Sequence, residues 1–362
     1  MNRFLFAADL HLQPAAWRGR PSLRGDSYYA LEQIQRLAKE FNCPVVLGGD
    51  IFDTSRPDPE SAECFRRFCG EVTANGQSVF HILGNHDASD PGWPDILGSK
   101  RLAGVADVGG IRVYGLDYTP RAHLQEALAK VPADSLLICH QAWKELAGGS
   151  HYDGSIADCP TNAVLSGDLH ITMFLDTPKQ VASPGSTCMQ SIDESAEKFV
   201  LLVSPGEWNL PYKFTQVPIR SRHVYRHNAM TAANLDEVCV WLQHQVRQDD
   251  SLPPDLQKPI VVVEYDPEFS RVAERLSLSA GEQCHLFMVS RPRTRQVVDV
   301  STPGFRGMEF MSLFTEVATT AAPGDADKLI GLIRAASSSR QQAEDFLRAN
   351  MQEQLAAVRG AV

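Results

Sequence analysis

From residue 1 to about 215, short apolar runs recur at FLFAA (4–8), PVVLG (44–48), SVFHIL (78–83), IRVYGL (111–116), SLLIC (135–139) and AVLS (163–166). They are rich in β-favouring residues and alternate with stretches of helical period, which predicts an α/β domain. The clearest helix is YYALEQIQRLAKEF (28–41), with Leu31, Ile34, Leu37, Ala38 and Phe41 on one face. A second helix is predicted at 59–74, after the proline-rich entry SRPDP, and VASPGSTCMQSI (181–192) and KFVLLVS (198–204) read as closing strands.

The texture changes after VPIRSR (217–222). A helix over 232–248, the loop PPDLQKP, the apolar strand IVVVEY (260–265), a short helix and the strand HLFMVS (285–290) predict a small β–α–β domain. Beyond it, 325–336 and 340–359 each carry an apolar helical face.

The chain has 362 residues, 43% apolar and 22% charged, a profile of one large or two moderate globular domains. No stretch approaches the roughly 20 uninterrupted apolar residues of a bilayer span, so no membrane association is expected. The start, MNRFLFAADLHLQ, reads as a first strand and not as a signal peptide. Eight scattered cysteines form no CxxC pair, which points to core thiols in a reducing, cytoplasmic setting; a bacterial or a viral origin is equally open. The formal charge of −10 argues against nucleic-acid affinity through the overall field, but leaves room for local basic surfaces and for acids offset by metal.

Candidate chemistry sits where the runs end. AADLH gives Asp9 and His11, LGGDIFD gives Asp50 and Asp53, LGNHD gives Asn85, His86 and Asp87, LLICHQ gives His140, and VLSGDLH gives Asp168 and His170. Taken alone, Asp-x-His is an ordinary capped loop, GD an ordinary turn, and a strand-end histidine a structural residue. GNHD is sharper, expected by chance about once in 10⁵–10⁶ positions. The joint order, each piece after an apolar run, places oxygen and imidazole donors at the carboxyl ends of five strands, where sites form in α/β sheets. That donor set, without thiolate, suits Mn²⁺, Mg²⁺, Fe²⁺ or Zn²⁺.

This ordered set resembles the calcineurin-like metallophosphoesterase superfamily. Within it, FLFAADLHL, LGGDIFDTSRPDP and SPGSTCMQS look like the SbcD-type branch of double-strand-break repair nucleases, over about residues 1–205. The protein-phosphatase branch fits less well, having GDxVDRG and GNHE where this chain has GDIFD and GNHD. The resemblance implies an α/β fold: a two-sheet sandwich flanked by helices (1–216), a small α+β capping domain (217–300) and a helical tail (301–362) that docks an ATPase partner or packs on the nuclease domain. It implies two divalent metal ions, Mn²⁺ first and Mg²⁺ second. Asp9, His11 and His170 would hold one, Asn85, His140 and Asp168 the other, with Asp50 bridging. His86 would protonate the leaving 3′ oxygen, and Asp53 and Asp87 would orient histidines, with a plain surface role for Asp53 equally open. The implied activity is a Mn²⁺-dependent DNA nuclease, cutting 3′→5′ from duplex ends and endonucleolytically in single strands and hairpins. The implied partners are DNA and an SbcC-type SMC-like ATPase, with a homodimer admitted.

One position departs from that pattern. The family has G-H-x-H at the last site, and this chain has G-D-L-H, so Asp168 stands where an imidazole is usual. A carboxylate reaches about as far as Nδ1 of histidine, so ligation is expected, with a harder donor that favours Mn²⁺ or Mg²⁺. The competing reading has Asp168 turned away and the second site weak.

DNA contact needs local positive charge. Arg18, Arg20 and Arg24 in WRGRPSLRGD are the candidates nearest the site; RSRHVYRH (220–227) and RPRTR (291–295) come next, the last reading equally as a charged turn. His81, His123, His151, His223, His227, His244 and His285 read as ordinary core or surface residues. Two other functions share the ligand set: a metallophosphodiesterase or phosphatase on a small or non-nucleic-acid substrate, and a non-catalytic scaffold, against which the nearly complete donor set argues.

Overall fold

The computed structural model describes residues 2–15, 22–88, 91–147, 152–176, 179–206, 210–229, 231–270 and 283–291. The expected tail helices, Arg18, Arg20, His151 and residues 292–295 lie outside these. The described residues all fall within one compact unit.

Along the chain come β1 (Phe4–Ala7), α1 (Asp26–Phe41), β2 (Val45–Gly48), α2 (Pro59–Ala74), β3 (Val79–Ile82), a short α3 (Trp93–Ile96) and β4 (Lys100–Arg101). Then follow β5 (Gly104–Val108), β6 (Ile111–Leu116), α4 (Arg121–Leu128), β7 (Leu136–His140), a short α5 (Lys144–Ala147), β8 (Ala163–Gly167), β9 (Met173–Leu175) and β10 (Gln180–Ser183). Strands β11 (Lys198–Pro205) and β12 (Tyr212–Ile219) return to the first sheet, whose order is β12-β11-β1-β2-β3-β4; the second runs β5-β6-β7-β8-β10-β9.

Strand periodicity explains the layering. On β1, Phe4 and Phe6 join Val46, Ile82, Ile138 and Leu165 in the core between the sheets, while Leu5 and Ala7 join Leu31, Ile34 and Phe65 beneath α1 and α2. On β7, Leu136 and Ile138 face the same interior, and Leu137 and Cys139 pack with Leu124, Leu128 and Trp143 on the far side. Central strands are therefore buried on both faces, which is why they read as unbroken apolar runs. The result is the two-sheet sandwich flanked by helices that the resemblance implied. Helix α2 starts where its sequence dictates: the Asp58 carboxylate accepts from the Glu60 and Ser61 N–H groups, and Pro59 follows it.

Two expectations change. Of 181–192, only the first residues form a strand; Pro184 and Gly185, at φ +75°, end it, leaving Ser186 a lone bridge to Ala8. In the small domain, the basic stretch after residue 220 is itself a strand, β13 (Val224–Ala229), hidden in the sequence by its charges. It pairs in parallel with β14 (Ile260–Tyr265), and that with β15 (His285–Ser290). One face of this small sheet is covered by α6 (Ala232–His244); Ile260, Val262 and Phe287 on the other pack against Leu23 and Met189. Strand β12 runs to Ile219 in the large sheet. All eight cysteines are free thiols, six of them buried, and no described helix is long and apolar enough to cross a membrane.

Candidate metal centre

The five motif loops leave the carboxyl ends of β1, β2 and β3 in one sheet and of β7 and β8 in the other, and they meet where the sheets join. Their backbones are unusual: Asp9, His11, Asp50 and Asp168 have φ of +52°, +44°, +50° and +78°. Such left-handed conformations cost of order 1 kcal/mol or more in a non-glycine residue and persist where surrounding bonds over-determine them. Here the Asp9 N–H donates to the Gly49 carbonyl at 3.1 Å, His11 N–H to the Asp50 carbonyl at 2.9 Å, His86 N–H to Asp50 Oδ1 at 2.9 Å, and Asp168 N–H to Asp9 Oδ1 at 3.1 Å. Gly84 is obligatory, because a Cβ there would lie 2.1 Å from Asp50 Oδ1.

The donor atoms converge in two halves. In one, His140 donates from Nδ1 to the Gly48 carbonyl at 2.8 Å, which aims its Nε2 at Asn85 Oδ1 (3.1 Å), Asp50 Oδ2 (3.4 Å), Asp168 Oδ1 (3.7 Å) and Asp9 Oδ1 (4.0 Å). In the other, His11 Nε2 and His170 Nε2 stand 3.1 Å apart, with Asp50 Oδ2 3.6 Å from His11 and Asp9 Oδ1 3.9 Å from His170. Asp50 and Asp9 thus lie between the halves. Asp168 turns into the cluster, with the imidazole of His140 as its neighbour.

Three observations fit this cluster to divalent cations. Asp9 Oδ2 is buried with no hydrogen-bond partner, an orphan that a cation would satisfy. Two imidazole nitrogens at right angles on one ion, each about 2.1 Å from it, stand about 3 Å apart, matching the His11–His170 separation. Charge makes the third. Burial pushes the carboxyls of Asp9 and Asp168 up from their usual range, with the imidazolium of His140 opposing. Burial pushes Asp50 the same way, but its hydrogen bond and attraction to His140 win and hold it at about 2. Burial disfavours the His140 cation, and the carboxylates of Asp50, Asp9 and Asp168 outweigh that and raise it to about 10. Crowded acids in a low dielectric demand a positive charge, and without metal that charge is the His140 proton. Two groups that could hold an ion are Asp9–His11–His170 and Asp9–Asp50–His140, and a third is His11–Asp53–His86.

Around the cluster, His86 donates from Nδ1 to the Asp53 carbonyl at 2.7 Å, leaving Nε2 4.0 Å from Asp50 Oδ2 on the open side. The Asp53 carboxylate stands 3.5 Å from His11 Nδ1, which makes no hydrogen bond. Asp87 differs from expectation: it is buried and accepts from the N–H groups of Ile51, Phe52 and Gly84, so it clamps the two loops together and orients backbone. The cluster opens into a cavity of about 530 Å³, whose wall includes Gln13, Gln190 and Ser191.

Sequence reasoning missed Glu194, which accepts from His170 Nδ1 at 2.9 Å. It belongs to no motif, and its surroundings, SIDESAEK, read as a solvated turn. The basic candidates are mostly engaged. Arg24 pairs with Glu60 at 3.0 Å, and Arg220 and His223 share Asp249. Arg222, fully buried, holds Asp26 through two bonds of 2.9 and 3.1 Å, so it ties the 220–227 stretch to α1 and offers no charge to solvent. Arg291 pairs with Glu264 and Asp193.

The family described as Calcineurin-like phosphoesterase matches residues 2–171, a span that contains all five loops. Two relatives are each named DNA double-strand break repair protein Mre11. That of Nanoarchaeum equitans is 23% identical over 272 residues, 64% of this chain and 73% of that one. That of Haloferax volcanii is 26% identical over 185 residues, 47% of this chain and 42% of that one. A crystal structure of the Thermus thermophilus protein TT1561 is similar over 55% of this chain and 93% of that one, at 14% identity and a TM-score of 0.36.

Proposed function

We propose, from the match of residues 2–171 to the family described as Calcineurin-like phosphoesterase, that the chain is a DNA nuclease that hydrolyses phosphodiester bonds with two divalent cations, Mn²⁺ first and Mg²⁺ second. The observation that carries the reading is the position of Asp50: its Oδ2 lies 3.6 Å from His11 Nε2 and 3.4 Å from His140 Nε2, as a bridging carboxylate between two ions would. Asp9, His11 and His170 hold one ion, and Asn85, His140 and Asp168 the other. Four oxygen-donor residues with three imidazoles and no thiolate favour hard cations.

A bound pair of this kind supplies an activated water and offsets the charge developing on the phosphate. The chain supplies the rest. Backbone bonds through Asp9, Asp50 and Asp168 keep the carboxylates fixed, so no reorganisation is needed during reaction. His86, its Nδ1 committed to the Asp53 carbonyl, presents Nε2 to the open cavity and donates the proton that the leaving 3′ oxygen needs. Asp53 orients His11.

The similarity to proteins named for double-strand break repair supports DNA as substrate. On this reading the chain cuts 3′→5′ from duplex ends and endonucleolytically in single strands and hairpins, works in a reducing cytoplasm, and acts with an SbcC-type SMC-like ATPase docked on 301–362. Arg18 and Arg20 remain the phosphate contacts, whereas Arg24 would have to leave Glu60. That last pairing favours the second reading, a phosphodiesterase or phosphatase acting on a small or non-nucleic-acid substrate. A cleavage assay on linear, hairpin and single-stranded DNA and on a generic phosphodiester, with Mn²⁺ or Mg²⁺ and His86→Ser as the inactive control, decides between them. DNA left intact while the generic ester is cut would establish the second reading.

A further inference from the structure

Glu194 lies outside every motif, yet it links two parts of the molecule. Its Oε1 accepts from His170 Nδ1 at 2.9 Å, which fixes the Nδ1–H tautomer and turns the Nε2 lone pair toward His11. Its Oε2 accepts from Ser186 Oγ at 2.7 Å and from Lys198 Nζ at 2.8 Å, and Lys198 also donates to Ser186 at 2.8 Å. Ser186 and Lys198 are buried, so this carboxylate is held in one place. The backbone is gripped from elsewhere: Arg226, on edge strand β13 of the small sheet, donates from Nη2 to the Glu194 carbonyl at 2.8 Å. The same loop supplies Met189, Ile192 and Ala196 to the apolar contact with Ile260, Val262 and Phe287 of that sheet.

We propose that Glu194 is the positioning residue of His170 and that Arg226 holds it there, so that docking of the small sheet assembles the His170 half of the metal centre. This rests on the two-ion reading above and adds to it a route by which whatever moves the small sheet acts on one ion and spares the other. The route is asymmetric. His140 takes its orientation from the Gly48 carbonyl in β2, inside the rigid sheet, whereas His170 takes its orientation from a loop side chain. A shift of the small sheet by an ångström or two breaks the Arg226 bond, frees the loop and lets the His170 ring rotate.

The test is a calorimetric titration of the full chain with MnCl₂. Wild type takes up two ions. Glu194→Gln, which keeps the shape and removes the charge, is expected to weaken one of them by about 10–100-fold and leave the other unchanged. Arg226 is exposed, so Arg226→Ala is expected to fold normally and to weaken the same ion by a smaller factor. Two ions of wild-type affinity in Glu194→Gln overturn the positioning role, and wild-type binding in Arg226→Ala overturns the link to the small sheet. A wild-type chain that binds fewer than two ions instead overturns the two-ion reading itself, and with it this inference. Equal weakening of both ions in either variant marks a general structural defect and also counts against the proposal.

Discussion

His140 and Asp50 meet where the two sheets join, Nε2 of one 3.4 Å from Oδ2 of the other. Neither strand alone makes the contact: β7 brings the imidazole, the turn after β2 brings the carboxylate, and each side chain shifts the other's ionisation toward the charged form. The pair lies at the centre of the candidate metal cluster.

Metal uptake should therefore release protons. With His140 raised to about 10, its Nε2 carries a proton at neutral pH, and ligation needs the lone pair. Titration of weakly buffered protein with MnCl₂ near pH 7 should release about one proton per chain from His140, and affinity should rise with pH across the neutral range. Binding heats that do not vary with buffer ionisation enthalpy would contradict this.

Glu194 gives a stability signature in acid. Burial would raise it, but the His170 and Lys198 bonds dominate and lower it to about 2. A lowered carboxylate stabilises the fold above its ordinary pKa and loses that contribution as pH falls toward the folded value. The Tm of metal-free wild type should exceed that of Glu194→Gln at about pH 6, and the gap should close between about pH 4.5 and 2. A gap that widens in acid would show the opposite sign.

Asp168→Ala should lower the proposed nuclease activity at least about tenfold at limiting Mn²⁺, since it removes one of the donors facing His140 Nε2. Near-normal rates would show that this carboxylate is no ligand. Asp168→His should restore activity and move metal preference toward softer cations.

His86→Ser should lower kcat by about 10²–10⁴-fold while Mn²⁺ stoichiometry stays at the wild-type value, because the proposed reading assigns both ions to other residues and makes His86 the proton donor. Loss of an ion in this variant would make His86 a ligand.

Gly84→Ala should abolish metal binding in a chain that still folds. A methyl group 2.1 Å from Asp50 Oδ1 and 2.4 Å from the Asp50 backbone nitrogen must push the proposed bridging carboxylate and its turn aside, while the residues of the sandwich core are not among its near contacts. Circular dichroism matching wild type, together with an empty calorimetric titration, is the expected result; retained binding would show that Asp50 moves without consequence.

Much of this was legible in the chain itself. Apolar runs buried on both faces announce the central strands, and Asp9, His11, Asp50, Asn85, His140, Asp168 and His170 stand where those runs end, because strand period and turn chemistry are local properties written in consecutive residues. Tertiary structure alone decided the contacts that span the chain. Arg222 looked like a DNA contact and proved to be the buried partner of Asp26, 196 positions away. Asp87 looked like a histidine's partner and proved to clamp backbone. Glu194 looked like nothing, and it orients His170. A charged side chain carries no mark of its partner in its own neighbourhood; only the packing of sheets and loops determines whether it meets solvent, a backbone amide or an imidazole.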